Sequence, residues 1–213
     1  MFSWTDARRS RGEDAGALRD EGVAVRERFG DWSQTFTGGM FWPLDPREEE
    51  VCLDDIAHSL ALQCRFAGHC RVPYSVAEHS VRVSLAAEGI GGPVCGPSLR
   101  LVALLHDAAE AYLVDVPRPI KPWLGGYHEI ERAVQATVFR AFDVVPTTQE
   151  LEFVKHLDRR MLATEQRDLM AEEPRSWNLG VEPFAERIEP WTWQEAEARF
   201  LARFATLRAE EGR

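Results

Sequence analysis

A run of ionisable side chains follows a strongly apolar segment at residues 106–121, which read HDAAEAYLVDVPRPIK. Before this run, apolar residues recur at helical spacing through Val102 and Ala103, and the same spacing continues onto His106 and Glu110. Both ionisable side chains are therefore predicted to face the protein interior. Because an unpaired buried charge is costly, each of them needs a partner or must be neutral.

Other predicted helices also carry polar residues on apolar faces. His79 lies on such a face, and so do Asp158 and Glu165. A single inward histidine or acid is usually a hydrogen-bonded core group, and for each residue alone that interpretation stays open. Two imidazoles and two carboxylates from three helices are nevertheless a set suited to one divalent transition metal. The predicted ligands are His79, His106, Asp107 and Asp158.

Catalysis at such a metal needs an open coordination position. With four protein ligands, octahedral cobalt, manganese or iron would keep two positions for water and substrate, whereas zinc would have to expand its coordination. Glu110, one turn after His106, is expected beside the metal, where it can move a proton, or else in a salt bridge to an arginine. Asp115 can hold a substrate hydroxyl or cap the following proline-rich turn.

The elements that would position these residues are predicted to be helices. We expect an all-α bundle of five to six helices, with a small N-terminal β-hairpin near residues 34–41 that turns at Gly38–Gly39. Capping patterns at Ser75, Thr147 and Thr192, each with Glu three residues later, mark helix starts. The predicted helices span about 53–66, 75–87, 98–112, 127–142, 147–171 and 192–208.

The domain organisation follows from length and composition. A chain of 213 residues can bury a core without disulfides. Residues 1–28 mix charges with glycine and alanine and are predicted to be a mobile N-terminal extension. Residues 29–213 are predicted to form a single domain with its core in 51–171.

The formal net charge of -10 opposes binding to a nucleic acid polymer or an anionic membrane. Apolar runs stay short of the roughly 20 residues that cross a bilayer, and the N-terminus lacks the apolar part of a secretory signal. Four cysteines without a CxxC pair favour a reducing compartment. We therefore expect a soluble cytoplasmic protein whose anionic ligand, if it has one, is small and meets a local basic cluster.

Three motifs together resemble the HD-domain superfamily of metal-dependent phosphohydrolases, in which H…HD…D is the ligand set. They are CRFAGHCRVPYSVAEHS at 64–80, HDAAEAYLVDVPRPIK at 106–121 and KHLDRRMLATE at 155–165, and they cover most of 53–170. The similarity is strongest to the branch that contains the YfbR-type 5'-deoxynucleotidases and the phage dATP triphosphohydrolases. The HD dipeptide alone is a weak signal, but HDxxE followed by DxPxPxK is a strong one.

The resemblance implies a role for each matching residue. It implies metal ligation by the four predicted ligands, catalysis by Glu110 near the attacking water, and contact of Asp115 with the deoxyribose hydroxyl. The basic positions that hold phosphate in this branch correspond to Arg65, Lys121 and Lys155. Phe66 stands where the deoxynucleotidases carry a tryptophan linked to sugar selectivity. We also expect a homo-oligomer, a dimer or higher.

The expected function is therefore hydrolysis of nucleotide phosphates with one divalent metal: cobalt, zinc, manganese or iron. Deoxynucleoside monophosphates and deoxynucleoside triphosphates such as dATP rank nearly equal as substrates. A phosphodiesterase acting on a cyclic or signalling nucleotide is a second interpretation, although a second His pair after Asp107 is absent. A non-catalytic helical module that binds nucleotide or metal is a third, which Glu110 and Asp115 disfavour.

Overall fold

The computed structural model describes residues 28–88 and 97–211, so the predicted extension at 1–28 lies outside the described residues except for Arg28. The described chain is helical with one small two-stranded hairpin, which confirms the all-α prediction. The helices are α1 (Leu53–Leu62), α2 (Val76–Ala86), α3 (Pro97–Leu105), α4 (Glu110–Leu113), α5 (Tyr127–Ala141), α6 (Thr148–Leu169) and α7 (Trp193–Glu211).

Side-chain caps set several of the predicted helix starts. The Ser75 hydroxyl accepts a hydrogen bond from the backbone N–H of Glu78 at 3.1 Å, which opens α2. Thr147 and Glu150 form a reciprocal capping box at the start of α6. These contacts satisfy N–H groups that have no partner inside the helix, so the helices begin where the sequence pattern indicates.

The core lies between α1, α2, α3 and α7, which pack against one another. Leu101, Leu104 and Leu105 of α3 are fully buried, as is Phe200 of α7. Helix α2 is buried on nearly every side, which places its polar residues inside the domain. No helix in the described part of the chain is long and apolar enough to span a membrane.

The hairpin is also confirmed, and its turn contacts α1, where the Phe36 ring stacks on His58 and the Thr37 N–H donates to Oδ1 of Asp55 at 2.7 Å. Strand β1 (Ser33–Gln34) pairs antiparallel with β2 (Met40–Phe41), and Gly38 in the connecting turn has φ 88°. Phe41 is buried and stacks on Tyr112 of α4 with ring centroids 3.8 Å apart.

Helix α1 ends earlier than predicted, at Leu62 rather than near residue 66. The Gln63 carbonyl accepts a hydrogen bond from the Val76 N–H at 3.1 Å, and the Arg65 N–H donates to the Tyr74 carbonyl at 2.9 Å. These extended pairings take the backbone groups that another helical turn would use. Phe66 then lies in the left-handed region with φ 57°, inside a short 3₁₀ turn at Arg65–Gly68.

The segment predicted as one helix at 98–112 is divided into α3 and α4. In a continuous helix the Ala109 N–H would donate to the Leu105 carbonyl. Here the Ala109 N–H donates to the side-chain oxygen of Gln135 at 3.0 Å, and the side-chain nitrogen of Gln135 donates to the Leu105 carbonyl at 2.8 Å. A side-chain amide from α5 is thus inserted into the helical ladder, which breaks the helix.

Candidate metal and catalytic site

Side chains from α2, α6 and the turn between α3 and α4 meet at one point. Nε2 of His79 lies 3.3 Å from Nε2 of His106 and 3.2 Å from Oδ1 of Asp158. Oδ2 of Asp107 lies 3.2 Å from Nε2 of His106 and 3.6 Å from Nε2 of His79. The fold therefore brings together all four predicted metal ligands. We call His79, His106, Asp107 and Asp158 the donor cluster.

The second ring nitrogen of each histidine is held by an acceptor. Nδ1 of His79 lies 2.6 Å from Oε1 of Glu165, and Nδ1 of His106 lies 2.8 Å from the Ala103 carbonyl. Each Nδ1 must carry a proton to make these bonds, so a neutral ring presents a lone pair at Nε2. Two such lone pairs facing each other beside two carboxylates repel unless a cation lies among them.

The charges around the donor cluster favour such a cation. Although burial and Arg65 lower it, Glu165 and Asp158 raise the pKa of His79 to about 9. The pKa values of Asp107 and Asp158 lie below their ordinary values despite partial desolvation, because His106 and His79 are close. The surroundings therefore stabilise positive charge at Nε2 of His79. His79, His106 and Asp107 offer ligand atoms that all lie within 4.8 Å of one another, so these three residues can bind a metal ion, and Asp158 lies beside this group through its contact with His79. Asp158, predicted to face inward, keeps 38% of its side chain exposed, because it lies at the open side of the cluster.

A buried ion pair supports the donor cluster from behind. Glu165 is fully buried and binds both His79 and Arg65, whose guanidinium lies 3.2 Å from Oε2 of Glu165. The same guanidinium lies 3.7 Å from Oδ2 of Asp107. Glu165 thus fixes the orientation of the His79 ring and compensates part of the Arg65 charge.

Glu110 lies at the start of α4, with its side chain almost entirely buried. Its Oε1 is 3.4 Å from Nζ of Lys121, while no group among the described residues forms a hydrogen bond with its Oε2. Burial, together with the nearby charges of Asp107 and Asp115, raises the pKa of Glu110 to about 9. Glu110 thus contacts a lysine, whereas the predicted alternative to its proton-transfer role is a salt bridge to an arginine, and one of its carboxyl oxygens makes no hydrogen bond within the described residues.

The predicted substrate residues differ in their contacts and in their exposure. Lys121 is held by Glu131 at 2.7 Å as well as by Glu110. Asp115 is half-buried, and Lys155 is exposed on α6 one turn before Asp158. The Phe66 ring lies 5.4 Å from the Arg65 guanidinium. Their contacts with substrate remain predictions.

Some residues around this site carry little or no sequence signal. Glu165 is the exception, because its position on an apolar helix face predicts that it points inward. The sequence does not predict that its partner is His79. The Trp177 ring lies 6.0 Å from that of Phe66, and Trp177 comes from a loop with no recognisable pattern. Gln63 and Gln135 contact backbone groups of distant segments, which periodicity cannot reveal.

Comparison with known proteins gives both extensive and partial matches. No family model matches the chain. A 5'-deoxynucleotidase of Photorhabdus laumondii is 30% identical over 104 residues, which are 43% of this chain and 51% of that protein. An uncharacterized protein of Rhodobacter capsulatus is 39% identical over 115 residues, 52% of this chain and 58% of its own length. These two similarities therefore cover about half of each relative.

The uncharacterized protein YfdR of Escherichia coli matches over most of its length. The two sequences are 35% identical over 178 residues, which are 82% of this chain and 94% of YfdR. The chain therefore belongs to the same family as YfdR and is distantly related to the 5'-deoxynucleotidases.

Proposed function

We propose that this protein is a metal-dependent hydrolase of nucleotide phosphates. The convergence of the donor cluster on one point carries the proposal. Two buried polar atoms beside it support the same conclusion, because Nε of Arg65 and Oε2 of Glu110 make no hydrogen bond within the described residues. An unused cationic donor and an unused carboxyl oxygen at one site suit an anionic substrate that reacts with water.

The donor cluster would hold the metal through both Nε2 atoms and both aspartates. The chemistry that a divalent metal supplies there is Lewis-acid polarisation of a phosphoryl oxygen and activation of water. Arg65, buried and held by Glu165, would offset phosphate charge next to the cluster. Its fixed position means that little side-chain entropy is lost when phosphate binds.

Glu110 would handle the proton. With its pKa raised to about 9, the carboxyl group holds a proton at neutral pH and can give it to the leaving oxygen as the P–O bond breaks. The attacking water provides the new oxygen on phosphorus and releases the proton that restores Glu110. Lys121, in contact with Glu110, would stabilise the carboxylate that exists between these two transfers.

The remaining residues would bind the rest of the nucleotide. We assign Asp115 to the sugar hydroxyl and Phe66 to the sugar or base face. Lys121 and Lys155 would contact phosphate, and Lys155, which is exposed one turn before Asp158, would meet the outer phosphates of a triphosphate. The similarity to a protein named 5'-deoxynucleotidase supports a deoxynucleotide substrate and favours the monophosphate.

One screen tests the proposal. Purified protein is incubated with each ribo- and deoxynucleoside mono- and triphosphate and with cyclic nucleotides, in the presence of cobalt, manganese, zinc or iron, and products are separated by chromatography. We expect metal-dependent release of phosphate, or of longer phosphate chains, that a chelator abolishes. Cleavage of cyclic nucleotides alone would indicate a phosphodiesterase. Metal binding without any product would indicate a non-catalytic module and contradict the proposal.

A further inference from the structure

Two glutamine side chains occupy backbone hydrogen-bonding positions on either side of Glu110. Gln135 bridges the Leu105 carbonyl and the Ala109 N–H, as described above. Gln63, just after α1, donates to the Glu110 carbonyl at 3.0 Å and accepts from the Asp115 N–H at 2.9 Å. Each amide therefore joins the two ends of a short segment that contains residues of the proposed site.

The segment bridged by Gln135 contains His106 and Asp107. Adjacent residues of a regular helix do not face each other, because they are rotated by about 100° about the axis. In the broken helix, Nε2 of His106 and Oδ2 of Asp107 are 3.2 Å apart. The break in the helix, where the Gln135 amide is inserted, thus allows the side chains of these two adjacent residues to join the same donor cluster.

The segment bridged by Gln63 contains a strained residue. Val114 has φ 74° and ψ 148°, a conformation that β-branched residues rarely adopt. The Tyr127 hydroxyl donates to the Val114 carbonyl at 3.3 Å, so Gln63 and Tyr127 hold the turn from both sides. This turn brings Asp115 back to where the charges of Arg65 and Asp107 act on it.

We propose that Gln135 and Gln63 are positioning residues with separable tasks. Gln135 orients His106 and Asp107 for metal binding, and Gln63 orients Asp115 for the substrate sugar. The proposal rests on the proposed function, because it assumes a metal in the donor cluster and a nucleotide beside it. A purely structural role for either amide would change the stability of the protein without changing metal affinity or substrate binding separately.

The test compares Gln135→Ala and Gln63→Ala with Gln166→Ala. Gln166 is the matched control because its amide also donates a side-chain hydrogen bond, to Glu173, and neither of these residues belongs to the donor cluster. The measurements are Mn²⁺ affinity by calorimetric titration, Tm of the metal-free protein, and kcat and KM for the best nucleotide of the screen. A second substrate, p-nitrophenyl phosphate, lacks the sugar and isolates effects that act through Asp115.

Gln135→Ala should weaken Mn²⁺ binding about ten- to a hundredfold, as removal of groups that orient metal ligands typically does. Its Tm should change little, because the Ala109 N–H can then bond directly to the Leu105 carbonyl. Gln63→Ala should keep the Mn²⁺ affinity and raise KM for the deoxynucleotide about tenfold, with p-nitrophenyl phosphate hydrolysis unaffected. Gln166→Ala should match the wild type throughout.

Wild-type Mn²⁺ affinity in Gln135→Ala would overturn the role of Gln135. If that variant does not fold, Gln135→Met preserves the side-chain volume without either hydrogen bond, and wild-type affinity there would overturn it equally. An unchanged KM in Gln63→Ala, or equal losses on both substrates, would overturn the role of Gln63. A wild-type protein that hydrolyses no nucleotide would contradict the proposed function and with it the role of Gln63. The role of Gln135 is tested independently, because it is measured as Mn²⁺ affinity.

Discussion

Two segments predicted as single helices differ in the partners of their backbone N–H and C=O groups. Helix α6 runs without interruption from Thr148 to Leu169 and contributes Asp158 to the donor cluster. The segment from Pro97 to Leu113 is interrupted just where it contributes His106 and Asp107. One ligand set is thus built half from regular and half from irregular backbone, and the irregular half depends on a side chain from another helix.

The largest effect is expected in the interrupted segment, from Asp107→Ala. Removing this carboxylate takes one ligand from the donor cluster and leaves two imidazoles with less negative charge around them. We expect bound metal and phosphate release to be lost together, measured by elemental analysis and the nucleotide assay. Asp143→Ala, which removes an exposed carboxylate after α5, is the control and should retain both. Full activity in Asp107→Ala would refute the proposed site.

Glu110→Ala tests whether the interrupted segment provides chemistry as well as ligands. We expect metal content to stay at the wild-type level and kcat to fall at least about a hundredfold, on the scale of general acid–base catalysis. Glu152→Ala, an exposed glutamate on α6, should leave kcat unchanged. If Glu110→Ala lost its metal instead, Glu110 would be a ligand and the assignment of proton transfer to it would be wrong.

Lys155→Ala examines the regular half of the site. Because Lys155 is exposed one turn before Asp158, its contact with phosphate is screened by solvent and should be modest. We expect KM for a triphosphate to rise about two- to fivefold, with a smaller change for the monophosphate. Arg132→Ala removes an exposed positive charge on α5 and controls for the effect of losing one positive charge elsewhere on the surface. Equal changes for both substrates would argue against contact with the outer phosphates.

The sequence predicts the regular parts of this molecule well because their causes are local. Thr147 and Glu150 satisfy each other's backbone groups within one turn, and the apolar stripe of α6 continues onto Asp158 and Glu165. The same stripe argument finds His79 and His106. Helix existence, the inward face and the ligand types can therefore be read without knowing how the helices pack.

The parts that the sequence did not predict depend on partners far along the chain. Gln135 meets the Leu105–Ala109 segment about thirty positions away, and Gln63 meets Asp115 across 52 positions. No periodicity in either segment encodes such a partner, so 98–112 reads as one helix. Trp177 reaches Phe66 from a loop, which is likewise a consequence of tertiary packing. These departures from local rules cluster at the proposed site, where functional geometry takes precedence over regularity.

The smallest effect is expected from Thr147→Ala, which tests the comparison from the opposite side. The change removes the hydroxyl that accepts from the Glu150 N–H at the start of α6, a loss of about 1 kcal/mol in the free energy of unfolding. For a chain of this size that corresponds to a Tm lower by about 2–4 °C, measured by calorimetry. Asp158 lies about 16 Å further along the helix axis, so metal affinity and kcat should not change.

Thr192→Ala gives the matched loss at the start of α7, because Thr192 and Glu195 make the same capping contacts. Thr147→Ala is thus expected to lower the stability of the protein without affecting the site. Gln135→Ala is expected to affect the site without lowering stability. If Thr147→Ala weakened Mn²⁺ binding as much as Gln135→Ala, the regular helix would be as dependent on distant contacts as the broken one. The distinction between local and long-range positioning of the ligands would then fail, because a change confined to a helix end would have moved Asp158.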